Sequence, residues 1–248
     1  MSQVGIAGNM FETYGSSGYF NAFALGAAAR PLKTNCFFND FVGDVTPPRV
    51  SPDLYAWYGG AGAAVGVAAG LADRPGLILG QTGTTAAGYA AIAGNELGCL
   101  LGGGEYTVET DFYLSALTGG GENYVFQFGI CDTVNADQVD GAYFTYDATV
   151  DNVWLYQTAN NSARSLVTSA VGVAAGAWIR LKVVVNAAGT LASYYINNAL
   201  VGTLAANIPT GAGRNLTPLM TMYKTLGAAS RYYVVDWVWY HYDLTVSR

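Results

Sequence analysis

Charge is what this sequence has least of. Only 11% of its 248 residues are Asp, Glu, Lys or Arg, against roughly 25% in an ordinary soluble domain. Much of its surface must be Ser, Thr, Asn, Gln, Gly and Ala, and a lone chain so poor in charge is expected to dissolve badly. That favours burial of some surface in an assembly. Lys and Arg are absent from residues 75–163, where ten acids stand: Glu96, Glu105, Glu109, Asp111, Glu122, Asp132, Asp137, Asp140, Asp147 and Asp151. Without clustered cations to neutralise phosphates, a nucleic-acid groove is excluded. The acidic region reads as a solvated edge or a cation site.

Histidine occurs once, at His241, and cysteine three times, at Cys36, Cys99 and Cys131, with no CxxC pair. Neither a zinc site nor a disulfide framework is expected. The apolar runs at 61–71 and 86–93 are short and broken by glycine, far from the ~20 residues that span a bilayer. The N-terminus, MSQVGIAGNMFETYG, lacks the basic start and apolar core of a signal peptide, so synthesis in a reducing cytoplasm is expected. The glycine runs at 59–62, 102–104 and 119–121 lack the G-K-[ST] ending of a phosphate loop. No G-x-S-x-G elbow accompanies His241, which would have to pair with Asp236 or Asp243. No heptads, collagen run or internal repeat is present, which removes a fibre shaft, a propeller and a solenoid.

What the chain does have is glycine, 32 residues, and aromatics at 13%. Aromatic side chains favour pleated, half-buried surfaces, and glycine at this level punctuates strands. The clearest stretch is 177–204. Ile179, Leu181, Val183 and Val185 alternate with Arg180 and Lys182, the period of two that puts one face in a core and one in water. Residues 187–190 (AAGT) supply a turn, 191–196 returns, Asn197-Asn198 suits the left-handed geometry of a hairpin, and 200–204 leaves again. Upstream, Gly102-Gly103-Gly104 opens a strand with Tyr106, Val108, Thr110, Phe112 and Leu114 on one face. Glu105, Thr107, Glu109, Asp111 and Tyr113 lie on the other. Residues 61–72 admit a helix, although Gly62, Gly66 and Gly70 each cost it about 1 kcal/mol. The last stretch, 231–244, is aromatic on both faces, with Tyr232, Val234, Val238 and Tyr240 opposite Tyr233, Val235, Trp237 and Trp239. Such a strand is central in its sheet or lies under a partner.

A dozen or so strands at spacings of roughly 8–12 residues predict an all-β antiparallel sandwich. Residues 36–248 form its domain. Residues 1–35 read as an arm that packs on a neighbour through Phe11, Tyr14, Tyr19, Phe20 and Phe23, since disordered segments are poor in aromatics; an ordinary first strand is the alternative.

Six segments recur in an order that carries a resemblance: Phe37-Phe38-Asn39-Asp40-Phe41, residues 74–85 (RPGLILGQTGTT), Asp140-Gly141-Ala142-Tyr143-Phe144, Trp178-Ile179-Arg180-Leu181, Tyr195-Ile196-Asn197 and Val234-Val235-Asp236-Trp237-Val238. Over roughly 36–245 the chain resembles the concanavalin A-like (laminin-G/lectin/glucanase) jelly-roll domains found in virion proteins of tailed bacteriophages. The resemblance implies a jelly roll and leaves open head decoration, tail and baseplate components, and glycan-binding modules.

Three chemistries follow from that fold. Glycoside hydrolases that share it carry E-x-D-x-E or E-x-D-x-x-E on one strand face, and two carboxylates about 5–5.5 Å apart give retention. Here Glu109-Thr110-Asp111, with Glu105, is an incomplete match: Tyr113 or Leu114 replaces the next glutamate. The dyad therefore reads as a solvated strand face. Lectins of the fold often hold sugar through calcium, for which Asp132, Asp137, Asp140, Asp147 and Asp151 are weak candidates, without a D-x-D-x-D-G loop. Trp57 and Trp154 are candidate sugar platforms. The leading expectation is a non-enzymatic virion protein without cofactor, a capsid decoration or other exterior head or tail component. It would dock on neighbouring virion proteins through the arm and through Trp237 and Trp239, as a homo-oligomer, a trimer by analogy. The alternative is a lectin module that recognises host surface glycan, with a glycoside hydrolase the third reading.

Overall fold

The computed structural model describes residues 12–14, 17–19, 34–41, 54–94, 98–147 and 149–245, with backbone alone for 12–14, 17–19 and 34–36. In chain order the strands are β1 (Glu12–Tyr14), β2 (Ser17–Tyr19), β3 (Thr34–Asn39), β4 (Leu54–Gly59), β5 (Ala63–Ala68), β6 (Leu77–Thr82), β7 (Tyr89–Gly94), β8 (Gly104–Leu114) and β9 (Asn123–Cys131). They continue with β10 (Gly141–Asp147), β11 (Val153–Asn160), β12 (Ala163–Gly172), β13 (Ile179–Val185), β14 (Ala192–Ile196), β15 (Ala199–Leu204), β16 (Thr217–Leu226) and β17 (Tyr232–Leu244). Among the described residues they make two antiparallel sheets and no helix. The first runs β1-β2-β3-β17-β8-β13-β14-β15, with β6 beside the start of β17 and β5 outside it; the second runs β12-β11-β10-β9-β16-β7-β4.

The alternation of 177–204 becomes β13-β14-β15 at one edge of the first sheet. Leu181, Val183 and Val185 are buried, and Asn197 and Asn198 turn the chain at φ 49° and 68°, the left-handed pair that a two-residue hairpin needs. Residues 63–68, where a helix was admissible, form β5 instead, paired from Ala63↔Thr82 to Ala68↔Leu77. Glycine's helix cost and the waiting edge of β6 decide this against a helix. The predicted arm contributes β1 and β2, a short hairpin whose second strand pairs with β3.

Between the sheets lies an aromatic core. Phe112 of β8 stacks on Phe126 of β9 with ring centroids 4.7 Å apart, and Trp154 of β11 meets both edge-on. Tyr233 closes on Phe126, and Phe144 on Tyr194. These rings are fully buried, and offset or edge-on pairs of this kind add to the stabilisation that burial alone provides.

β17 is central, between β8 on one side and β3 and β6 in tandem on the other. Its register with β8 slips between Val235 and Trp237. The extra residue, Asp236, is a β-bulge, and it reverses the phase of everything after it. Tyr233 and Val235 face the core before the bulge; Val238, Tyr240 and Tyr242 do so after it. Trp237, Trp239 and His241 therefore share the outer face with Tyr232 and Val234. The faces expected from uninterrupted alternation are wrong beyond position 235 for this reason.

Candidate functional site

The outer face of the second sheet carries a strip of aromatic side chains. The pairings Trp57↔Ala91 and Gly59↔Tyr89 join β4 to β7, and Tyr223↔Tyr89 joins β7 to β16. Trp57, Tyr89 and Tyr223 consequently point the same way over two strand spacings, about 10 Å. Trp57 is 47% exposed, the small Ala91 beside it leaves its ring free, and Tyr89 is half-buried. Gly59 matters here because a Cβ on it would stand 2.5 Å from Tyr89 Cε1. Its missing side chain lets the tyrosine ring lie across β4 next to Trp57.

The loop between β9 and β10, residues 132–140, folds over the other end of this strip. Thr221 Oγ1 donates to the Val134 carbonyl, and Tyr223 OH donates to Asp137 Oδ1 at 2.7 Å. Burial first, then this carboxylate, pushes the Tyr223 phenol far up, so it stays protonated as a donor. The Asp137 side chain is 63% exposed, with Arg164 Nη2 at 3.8 Å. Below the loop, Gln138 Nε2 donates to Gln127 Oε1 at 2.7 Å, and the Gln138 carbonyl accepts from Arg164. An aromatic strip thus ends at an accessible carboxylate held from beneath. Trp57 was a candidate in the sequence; Tyr89, Tyr223 and the role of Asp137 were not, because only strand pairing brings them together.

The other acidic-loop residues are engaged by backbone N–H groups and, at Asp140, by an arginine. Asp132 accepts from the N–H groups of Val139 and Asp140, and Asp140 from Asn161 N–H at 2.7 Å and Arg214 at 2.9 Å. Asp147 and Asp151 accept from Thr149 and Asn152. The five calcium candidates are not brought together, and among the described residues no group of three or more His, Cys, Asp or Glu side chains could hold a metal ion.

On the outer face of the first sheet, Glu109 and Asp111 are 9% and 8% exposed, not the solvated pair expected. Arg74, from the turn between β5 and β6, donates through one nitrogen to Asp111 and to Asp236, at 2.9 and 2.5 Å. Its guanidinium lies 3.9 Å from the Trp178 ring. Arg180 stands 3.7 Å from Glu109 and over the Trp237 ring. Burial raises the Asp236 carboxyl, Arg74 pulls it back, and Asp111 raises it again. Trp237 and Trp239 are half-buried on this face, Trp237 against Phe38 and Trp239 stacked on His241. Burial lowers the His241 imidazole, against the pull of Asp243 and Glu105.

Trp154, the second platform candidate, is 1% exposed in the core. Its neighbours in sequence do not announce this; the inward phase of β11 decides it. Tyr14 and Tyr19 lie on the β1–β2 hairpin. Phe11, Phe20 and Phe23 lie outside the described residues.

Comparison with known proteins agrees on the fold. A family model described as SO2946-like, C-terminal domain, matches residues 73–236. The crystal structure of SO2946 from Shewanella oneidensis MR-1, a protein of unknown function, superposes with a TM-score of 0.62 at 12% identity, over 90% of this chain and 91% of that one. An endo-1,3-beta-glucanase from Streptomyces sioyaensis gives 0.60 at 12% identity, over 88% and 99%. The potassium-bound carbohydrate recognition domain of Emp46p gives 0.55 at 7% identity, over 84% and 96%. No curated protein sequence matches the chain. The concanavalin A-like sandwich of lectins and glucanases is thereby shown, while nothing in these similarities ties the chain to bacteriophage virions.

Proposed function

The chain belongs to the family of SO2946-like C-terminal domains, and we propose that it is a non-catalytic glycan-binding domain. One observation carries the reading: the exposed Trp57, flanked by Tyr89 and ending at the Tyr223-supported Asp137 carboxylate. The negative face of an aromatic ring attracts the polarised C–H groups of a sugar ring, and a fixed carboxylate accepts from its hydroxyls. A strip about 10 Å long suits an extended oligosaccharide better than one ring. The carbohydrate recognition domain and the glucanase that share the fold make a glycan ligand consistent with it.

Catalysis is not part of the proposal. Glu109 and Asp111 are each paired with an arginine and largely buried, which is not the accessible pair of carboxylates that glycoside hydrolysis uses. The test is a glycan array followed by titration calorimetry of the best hit. Trp57→Ala should weaken binding about tenfold or more, with no released sugar on long incubation. An unaltered affinity in Trp57→Ala would refute the site.

A second reading, docking on neighbouring proteins such as those of a virion, is favoured by Trp237 and Trp239 side by side on the outer face of the first sheet. Light scattering at high concentration checks it: Trp239→Glu would break up any oligomer built on that face, and a wild-type monomer that ignores capsids would end it.

A further inference from the structure

One flank of the sandwich carries open strand edges without the usual protection. β12 and β15 end the second and the first sheet, and among the described residues each pairs with a single neighbour, β11 and β14. They lie on the same side: Asn207, just past β15, donates through Nδ2 to Ser165 Oγ of β12 at 3.0 Å, and Thr158 of β11 donates to the Ala206 carbonyl. An open edge offers a row of free N–H and C=O groups, and proteins ordinarily blunt it with lysine or proline. Neither occurs in β12 or β15. Arg164 is the one charged residue of β12, residues 165–179 and 183–213 carry none, and Leu166, Val167 and Leu200 stand exposed.

The β11–β12 turn fixes which backbone groups of β12 are free. Asn161 and Ser162, left-handed at φ 51° and 65°, make a two-residue loop, so the flanking Asn160 and Ala163 exchange hydrogen bonds. Alternation along the ladder turns Ala163, Ser165 and Val167 toward β11, and turns the N–H and C=O groups of Arg164, Leu166 and Thr168 outward. The register with β11 is continuous as far as Thr168.

That edge is complementary to itself. In an antiparallel pairing about a twofold axis at Leu166, Leu166 meets its own counterpart, and Arg164 meets Thr168 of the second copy. Three outward pairs each exchange two hydrogen bonds. The two arginines fall at opposite ends of the paired segment, so no like charges meet. A neutral flank offers nothing to a charged partner and meets no repulsion from its own copy. Ten residues at ~3.4 Å make it about 34 Å long, and two sheets ~10 Å apart, with their side chains, about 20 Å deep. That is on the order of 700 Å² per copy, close to the ~800 Å² per partner of a standard interface.

We propose that the chain forms a twofold dimer through this flank, β12 pairing antiparallel with β12 of a second copy about Leu166, so that two seven-stranded sheets run on as one. Trp57 belongs to β4, at the far edge of that sheet. The dimer therefore sets two Trp57 strips on one face, up to about 60 Å apart at ~4.8 Å per strand, a spacing that suits a ligand repeated over a surface. The dimer itself stands or falls independently of what Trp57 binds.

Sedimentation equilibrium of the full chain measures the dimer. Leu166→Lys sets two lysines against each other across the axis and should raise the dissociation constant about a hundredfold or more, since the change occurs twice per dimer. Thr168→Pro removes an N–H that faces the second copy and not β11, and should also weaken the dimer while sparing the monomer's ladder. A cysteine pair reads the register. In a Cys36→Ser background the remaining thiols, Cys99 and Cys131, are buried. Leu166→Cys should then crosslink on mild oxidation, because hydrogen-bonded partners lie ~5.5 Å apart between Cα atoms, within disulfide reach. Leu226→Cys, exposed at the end of β16, should not. Should either edge variant fail to fold, the cysteine comparison, which adds neither charge nor proline, decides alone. A monomeric wild type, a dimer that survives Leu166→Lys or Thr168→Pro, or crosslinking no faster than with Leu226→Cys overturns the proposal.

Discussion

Removing one guanidinium should show how the outer face of the first sheet is held. Arg74→Met keeps much of the hydrocarbon stem and deletes three interactions: the ion pairs with Asp111 and Asp236, and the stacking on Trp178. Side-chain exposure at the three charged residues is 19%, 11% and 17%. The pairs are therefore neither surface bridges of ~0–1 kcal/mol nor fully buried ones, whose rupture costs ~3–5 kcal/mol. Charge-assisted hydrogen bonds contribute about 1.5–3 kcal/mol, and partly exposed cation–π stacking about 0.5–1 kcal/mol. The expected loss at pH 7 is about 2–4 kcal/mol, a melting temperature lower by roughly 5–12 °C for a chain of this size.

The pH dependence makes the test sharper. With Arg74 gone, two carboxylates that shared one nitrogen face each other without a counter-charge, so the Asp236 carboxyl rises beyond its already raised position. A carboxyl raised in the folded state loses stability as pH climbs from the unfolded value, near 3.9, through the folded one. That window is wider in the variant. The gap between wild type and Arg74→Met should therefore be full at pH 7 and shrink toward pH 4. Urea unfolding followed by tryptophan fluorescence at both pH values measures it. A loss below about 0.5 kcal/mol at pH 7, or the same loss at both, would refute the reasoning.

Three other outcomes follow from the same structure. Phe126→Ala, which empties the centre of the ring cluster, should cost about 3–5 kcal/mol in urea unfolding. His241 is depressed in the folded state, so its contribution is complete above the unfolded value near 6.5 and is lost as pH falls through the folded one; His241→Gln should flatten the stability profile below pH 6.5. Burial pushes the Cys99 thiol up to about 12, where it meets Tyr240 OH at 3.0 Å, and raises the Cys131 thiol well above the ordinary value; in a Cys36→Ser background neither should react with Ellman's reagent at pH 8 until urea is added.

Local pattern carried much of the architecture. The Ile179–Val185 alternation, the Asn197-Asn198 turn and the two faces of β8 can all be read from consecutive residues. A period of two, a turn residue and an apolar face are properties of a few neighbours along the chain. The same rule failed in β17, where one inserted residue, Asp236, shifts the phase, and a bulge leaves no local mark in a run aromatic on both sides. It also failed at Glu109 and Asp111. Their place on the polar face of β8 was legible, but Arg74 comes from 37 residues away and Asp236 from a different strand.

The candidate sites divide in the same way. Trp57 and Trp154 are equal as letters in a sequence. One stands on an edge strand beside Ala91, and the other points inward among Phe112, Phe126 and Phe144. Sequence by itself determined an all-β sandwich, its turns and which residues share a strand face, because those follow from bonded geometry. Tertiary structure alone decided which face is covered and which carboxylates are neutralised. It also laid Tyr89 over Gly59 and left the Trp154 N–H facing no acceptor. Each of these depends on a side chain brought in by a distant strand, and hydrogen-bonded pairing, not neighbourhood in the chain, sets that.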